Sequence, residues 1–126
     1  MAEHGHAYVP SVEGGFTQSG GERAMRELLE RFPDTDGVFV ANDLMAQGAL
    51  LVLRDRGRRV PEDVAVIGFD DSSAALASRP LLTTIRQPVE DMAAEMAKLL
   101  MALIDDPSQG TRSVIFKTAL VARDSA

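Results

Sequence analysis

Cysteine is absent from the 126 residues, and that alone removes disulfide scaffolds, thiolate-ligated zinc and cysteine nucleophiles. Positive charge is scarce. With 13 Lys and Arg against 19 Asp and Glu, the formal net charge is -6, which repels phosphate and makes the chain a poor grip on nucleic acid by itself. Long apolar runs are missing too: the longest, Met96 to Ile104, is about half the length that crosses a bilayer and is interrupted by Lys98. Histidine is confined to His4 and His6, in a start without pattern, and no Gly-x-Ser-x-Gly elbow precedes a helix. His4-x-His6 reads as a solvated tail. Met1 to Pro10 has Glu3 and no cation ahead of an apolar block, so no secretory signal is expected there. The expectation is therefore no catalytic residue, no metal, no cofactor and no membrane segment. What is present, 45% hydrophobic and 25% charged residues, suits one globular domain with a core of its own.

Helical patterns alternate with strand patterns. Ser19 and Glu22 have capping-box spacing, and Met25, Leu28, Leu29 and Phe32 then share a helical face until Pro33. Val38-Phe39-Val40-Ala41 is apolar on both sides of the pleat and reads as a buried parallel strand. Asn42-Asp43 supplies a helix N-cap, and Leu44 to Arg56 follows, ending at Gly57. Apolar residues surround nearly all of that helix, so a second face is expected to meet a partner subunit. Val64 to Phe69 is another continuous apolar strand, closed by Asp70-Asp71-Ser72-Ser73. Ala74 to Leu82 reads as irregular and Thr83-Thr84-Ile85 as a third strand. Val89 to Ile104 reads as a helix with Met92, Met96, Leu99, Leu100 and Leu103 on one face. A short strand around Ala7 to Val9 and two closing strands, Val114-Ile115-Phe116 and Ala119-Leu120-Val121, complete the pattern. The fold class is α/β, a three-layer α-β-α sandwich on a mostly parallel sheet.

In such sheets ligands sit beyond the carboxyl ends of the strands. Asn42-Asp43 follows one strong strand and Asp70-Asp71 the next, so an amide and carboxylates gather on one edge. These groups suit the hydroxyls of a small polar ligand, with Phe16 or Phe69 offering an apolar face. The same residues also serve as an ordinary helix cap and an ordinary turn. Asp43, Asp70 and Asp71 are hard oxygen donors, but nothing in their spacing requires magnesium. A phosphoacceptor of receiver type needs a lysine at a later strand end, and Lys98 and Lys117 are both misplaced. Gly14-Gly15 and Gly20-Gly21 complete no phosphate-binding motif. Arg54, Arg56, Arg58 and Arg59, interrupted by Asp55, read as a solvated helix end.

Three segments in order carry a resemblance: Gly37-Val38-Phe39-Val40-Ala41-Asn42-Asp43-Leu44-Met45-Ala46-Gln47-Gly48-Ala49, Val60 to Asp71, and Leu82-Thr83-Thr84-Ile85-Arg86-Gln87-Pro88. Together the chain resembles the Lac/Gal repressor family of bacterial transcription regulators. The resemblance implies a helix-turn-helix headpiece joined to a two-lobed core similar to periplasmic sugar-binding proteins. Residues 1–126 then correspond to the C-terminal lobe of the effector-binding domain, without the headpiece and most of the first lobe. It implies ligand contacts from Asn42, Asp70 and Phe16, with Tyr8 competing for the place of Phe16. Phe69 adjoins Asp70, Gln87 sits where the chain crosses between lobes, and Asp43 and Asp71 act as caps or supports. It also implies a homodimer, with Met45, Gly48, Ala49, Val52 and, within Ala74 to Leu81, Leu76 at the two-fold contact. The expected function is sugar-type effector sensing in a cytoplasmic repressor that meets operator DNA only through the headpiece. The alternative is a periplasmic sugar-binding protein of an ABC transporter.

Overall fold

A computed structural model of the chain describes residues 9–126. His4, His6 and Tyr8 lie outside the described residues, as does most of the strand expected around Ala7 to Val9. Strands β1 (Gly37–Phe39), β2 (Ala65–Asp70) and β3 (Thr83–Arg86) run parallel, and β4 (Ala119–Val121) pairs antiparallel with β3, giving the order β1-β2-β3-β4. Helix α1 (Gln18–Arg31) precedes β1, and α2 (Asp43–Asp55), α3 (Ser73–Ala77) and α4 (Val89–Asp105) connect the strands. The sheet is thus open, mostly parallel and flanked by helices, as expected.

Local chemistry sets the helix limits. The α1 cap is Thr17 rather than Ser19: Thr17 is extended and its Oγ1 accepts from Gly20 N at 3.0 Å. The hydroxyl that caps is the one directly after the left-handed pair Gly15 and Phe16 (φ 63° and 56°), which turns the chain into the helix. Asn42 caps α2 through Met45 N at 2.8 Å, and Gly57 takes the left-handed position (φ 68°) just past its end. Residues 74–77, expected to be irregular, join Ser73 in the short α3, because Ser72 supplies a cap before Arg79-Pro80 ends it.

The second apolar face of α2 is covered by α1, within the same chain. The crossing is so close that a Cβ on Gly21 would lie 2.2 Å from Met45 O, and one on Gly48 would lie 2.1 Å from Gln18 O. Backbone meets backbone there, which explains Gly21 without any phosphate, and Gly20 is explained by the loop before α1, where a Cβ would lie 1.6 Å from Gly14 O. This corrects the expected dimer contact. Met45, Gly48, Ala49 and Val52 are buried inside the chain and present no surface to a partner, whereas Leu76 is exposed. With Met25, Leu29, Val40, Leu53, Val66 and Leu82 the α2 residues make one core. Leu53 and Leu82 are wholly enclosed, each worth about 1.5–3 kcal/mol of transfer free energy.

Three further expectations change. β1 is the edge strand, not a strand covered on both faces, and Phe39 is 64% exposed. By register and alternation Phe39, Ile67, Phe69, Ile85 and Leu120 share the sheet face turned away from α2, and Leu120 is 62% exposed. Residues 114–116 form no strand, and Ile115 is fully open. The apolar stripe on α4 has the expected period, yet none of its residues is buried. α4 stands away from the core, because the chain leaves the sheet at Gln87-Pro88 and returns only at Ala119. The end of the chain is then stitched in: Ser125 Oγ donates to Val66 O at 2.6 Å and accepts from Thr83 N at 2.8 Å.

Candidate functional site

The carboxyl ends of the three parallel strands form one rim. Pairing continues past β1, where Val40 N donates to Ile67 O at 2.8 Å, and Asp70 lies opposite Arg86. Asn42 follows β1 at this same edge, and Gln87 directly follows Arg86. Asn42 uses both ends of its amide. Oδ1 caps α2, and Nδ2 donates to Phe16 O at 3.3 Å, which ties the rim to the loop before α1. Phe16 is held at positive φ, unfavourable for an aromatic residue, and is 67% exposed.

β2 ends in two residues with positive φ, Asp70 (108°) and Asp71 (57°), so the chain reverses sharply at the rim. Asp70 Oδ1 accepts from Gln87 Nε2 at 2.7 Å, and its Oδ2 has no partner among the described residues. Asp70, Asp71, Arg86, Gln87, Pro88 and Val89 line an open groove of about 330 Å³. A carboxylate oxygen and an amide oxygen on one wall, with an amide N–H available at Asn42, can grip adjacent hydroxyls in two directions.

Two buried carboxylates support the rim from beneath. Asp71 accepts from Arg86 Nε at 2.6 Å and from Arg123 Nη2 at 2.5 Å. Burial pushes this carboxyl up, but hydrogen bonds and charge from Arg123 and Arg86 outweigh it and hold the group below the usual carboxylate range. Asp43, 1% exposed, accepts from Ser72 N, Ser72 Oγ and Thr84 Oγ1. Neither is free for a metal, and among the described residues no cluster of three or more His, Asp or Glu is arranged to hold one.

The structure therefore brings Asp70 and Gln87 together and ties Phe16 to Asn42, which follows the neighbouring strand at the same edge of the sheet. Phe69 goes elsewhere: its ring meets that of Phe39 edge-on, with centroids 6.3 Å apart, on the open sheet face. It lines no part of the groove, because alternation turns it away from Asp70. The rim residues missed from the sequence are Arg86, Thr84, Ser72 and Arg123. Arg86 lay inside the quoted Thr-Thr-Ile-Arg-Gln-Pro segment. Arg123 gave no local signal, being 52 positions from Asp71.

An open parallel sheet with amide, carboxylate and aromatic groups at its carboxyl rim defines one wall of a small-molecule-binding α/β cleft. Residues 1–126 match the periplasmic binding protein-like domain. The chain is 50% identical over 112 residues to the HTH-type transcriptional regulator CelR of Thermobifida fusca, covering 89% of this chain and 33% of the relative. It is 44% identical over 108 residues to the regulator GalR of Escherichia coli K12, covering 86% and 32%. Among solved structures, the CelR–cellobiose complex superposes with a TM-score of 0.93 at 46% identity, over 99% of this chain and 39% of that one. The chain belongs to the periplasmic binding protein-like family, as an effector-binding domain of the Lac/Gal repressor type. It spans about a third of the length of the curated relatives it matches.

Proposed function

We propose that this chain is the C-terminal part of the sugar-sensing and dimerising domain of a DNA-binding transcriptional repressor. The observation that carries the reading is the Asn42, Asp70 and Gln87 rim, paired donors and acceptors at the end of a parallel sheet. Half of the aligned residues are shared with CelR, whose structure holds cellobiose, so cellobiose is the first effector to test. Bound sugar shifts the orientation of two lobes and thereby changes operator affinity through linkage. The DNA contact belongs to a headpiece outside this chain, in keeping with the chain's net charge of -6. No reaction is involved; the rim groups bind. As a DNA-bound regulator the protein works in the cytoplasm, and similarity to regulators favours this over the transport reading.

The lobe proper is then residues 9–87 and 119–126. We assign α4 and residues 106–118 to the other lobe. The open face of Met96, Leu100 and Leu103 supports this, as does the departure of the chain at Gln87 and its return at Ala119. The homodimer contact moves to the groove between α2 and α3, where Leu51, Arg54 and Arg79 line a cleft and Leu44 and Leu76 are exposed. The test is operator release by the full-length regulator in a gel-shift titration. Cellobiose or another neutral sugar should release DNA from the unsubstituted protein and not from Asp70→Asn. Release of both alike would overturn the assignment.

A further inference from the structure

We infer that Asp43 is the positioning residue of the sugar site: a buried carboxylate that fixes the Asp70 turn without touching ligand. The inference rests on the proposed sugar-binding function.

Asp43 is the first residue of α2, directly after Asn42, and its carboxylate links the segment that follows β1 to the turn after β2 and to β3. From its place at the end of β1 it accepts Ser72 N at 2.7 Å and Ser72 Oγ at 3.0 Å, just past β2. Its other oxygen accepts Thr84 Oγ1 at 2.7 Å, within β3. Thr84 Oγ1 in turn accepts Asp71 N at 3.4 Å. The two residues between Gly68 and Ser72 that carry positive φ, Asp70 and Asp71, are thus held by a carboxylate on one side and its threonine partner on the other.

Space is reserved for this contact. A Cβ on Gly68 would fall 2.5 Å from Asp43 Oδ1, so β2 keeps a glycine where the carboxylate passes. A cap for α2 alone explains none of this, because Asn42 already serves as that cap. No cation touches Asp43; all three donors are neutral and come from the turn and strand that carry Asp70 and Gln87. Loss of the carboxylate frees a strained turn to relax, and Asp70 leaves the position in which Gln87 meets it.

The experiment is cellobiose titration of the full-length protein with Asp43→Asn, Thr84→Val and Thr84→Ser, each alone and combined with Asp70→Asn. Asp43→Asn and Thr84→Val should weaken binding about tenfold, the worth of one charged hydrogen bond, while Thr84→Ser, which keeps the hydroxyl, stays close to the unsubstituted protein. In the Asp70→Asn background the Asp43→Asn loss should largely vanish, since the group it positions no longer carries charge. A merely structural Asp43 gives equal losses in both backgrounds, or a lower melting temperature with unchanged affinity, and either result overturns the inference. If the unsubstituted protein binds no neutral sugar, the functional reading falls. Asp43 is then judged by amide resonances of the free protein: shifts at Asp70 and Asp71 in Asp43→Asn uphold its hold on the turn, and their absence refutes it.

Discussion

Removing the charge from Asp71 tests the rim's support in three graded steps. The Asp71 side chain is 8% exposed and that of Arg123 13%, whereas Arg86 is 59% exposed. Arg86→Ala removes a partner that is mostly in water, so it should cost less than about 1 kcal/mol. Asp71→Asn keeps the shape and tolerates the positive φ, but its single oxygen satisfies only one guanidinium. Turned toward Arg123, it exchanges an ion pair for a hydrogen bond from the guanidinium to a neutral amide oxygen, at about 1–2 kcal/mol. Asp71→Ala leaves Arg123 buried with only Leu82 O to hold, which places the loss near the lower end of the buried-pair range, about 3 kcal/mol. Its φ of 57° adds up to about 1 kcal/mol, because alanine lacks the short polar side chain that eases Asp into this region. Over 126 residues, at about 2.1 cal/mol/K each, 1 kcal/mol moves the midpoint by about 4 °C. Thermal melts followed by circular dichroism should therefore show drops below about 4 °C, of about 4–8 °C and of about 12–16 °C in that order. If Arg86→Ala matches Asp71→Ala, or if Asp71→Ala melts within a few degrees of the unsubstituted protein, the buried Asp71–Arg123 pair is not what fastens the turn.

Gly48→Ala should destabilise by about 2 kcal/mol despite the better helix propensity of alanine, because its Cβ meets backbone; Gly110→Ala, with open space around it, should be neutral in the same denaturant titration. Acid should weaken the fold in a defined direction. Arg59 holds Asp63 at about 2, and Asp71, against the push of burial, is held down by Arg123 and Arg86. Groups depressed in the fold stabilise it above the unfolded carboxylate value near about 3.9 and lose that as pH falls through the folded value. Melting temperature should fall below about pH 4, less steeply in Asp71→Asn, and an unchanged acid slope in that variant would count against the pairing. Leu76→Glu should shift the full-length protein toward monomer in sedimentation equilibrium without unfolding it, while an intact dimer would remove α3 from the contact.

The strand ends were legible from sequence because apolar runs stop at Asn42 and Asp70, and a parallel sheet brings successive stops to one side. The partners of those residues were not. Arg123 reaches Asp71 across 52 positions, and only the antiparallel return of β4 makes them neighbours. Periodicity found α4 but not its solitude, since an apolar stripe reports that a face is to be covered and not by what. The same limit misdirected Met45, Gly48, Ala49 and Val52 to a partner. Their true cover, α1, depends on Gly21 and Gly48 letting two backbones touch. Phe69 misled because adjacency in sequence to Asp70 means opposite faces in a strand.

Calorimetric titration of cellobiose into the full-length protein, beside Asp70→Asn and Asn42→Asp, probes the rim most directly. Asn42→Asp keeps an oxygen to cap α2 and exchanges the amide donor, with its bond to Phe16 O, for a second carboxylate, so it reads the donor and the added charge together, while Asp70→Asn should melt close to the unsubstituted protein. The account requires saturable binding that falls by at least about a hundredfold in Asp70→Asn, as when a buried charged group loses its partner hydroxyls, and clearly in Asn42→Asp. Saturable binding of equal strength in all three would place the ligand somewhere other than this rim.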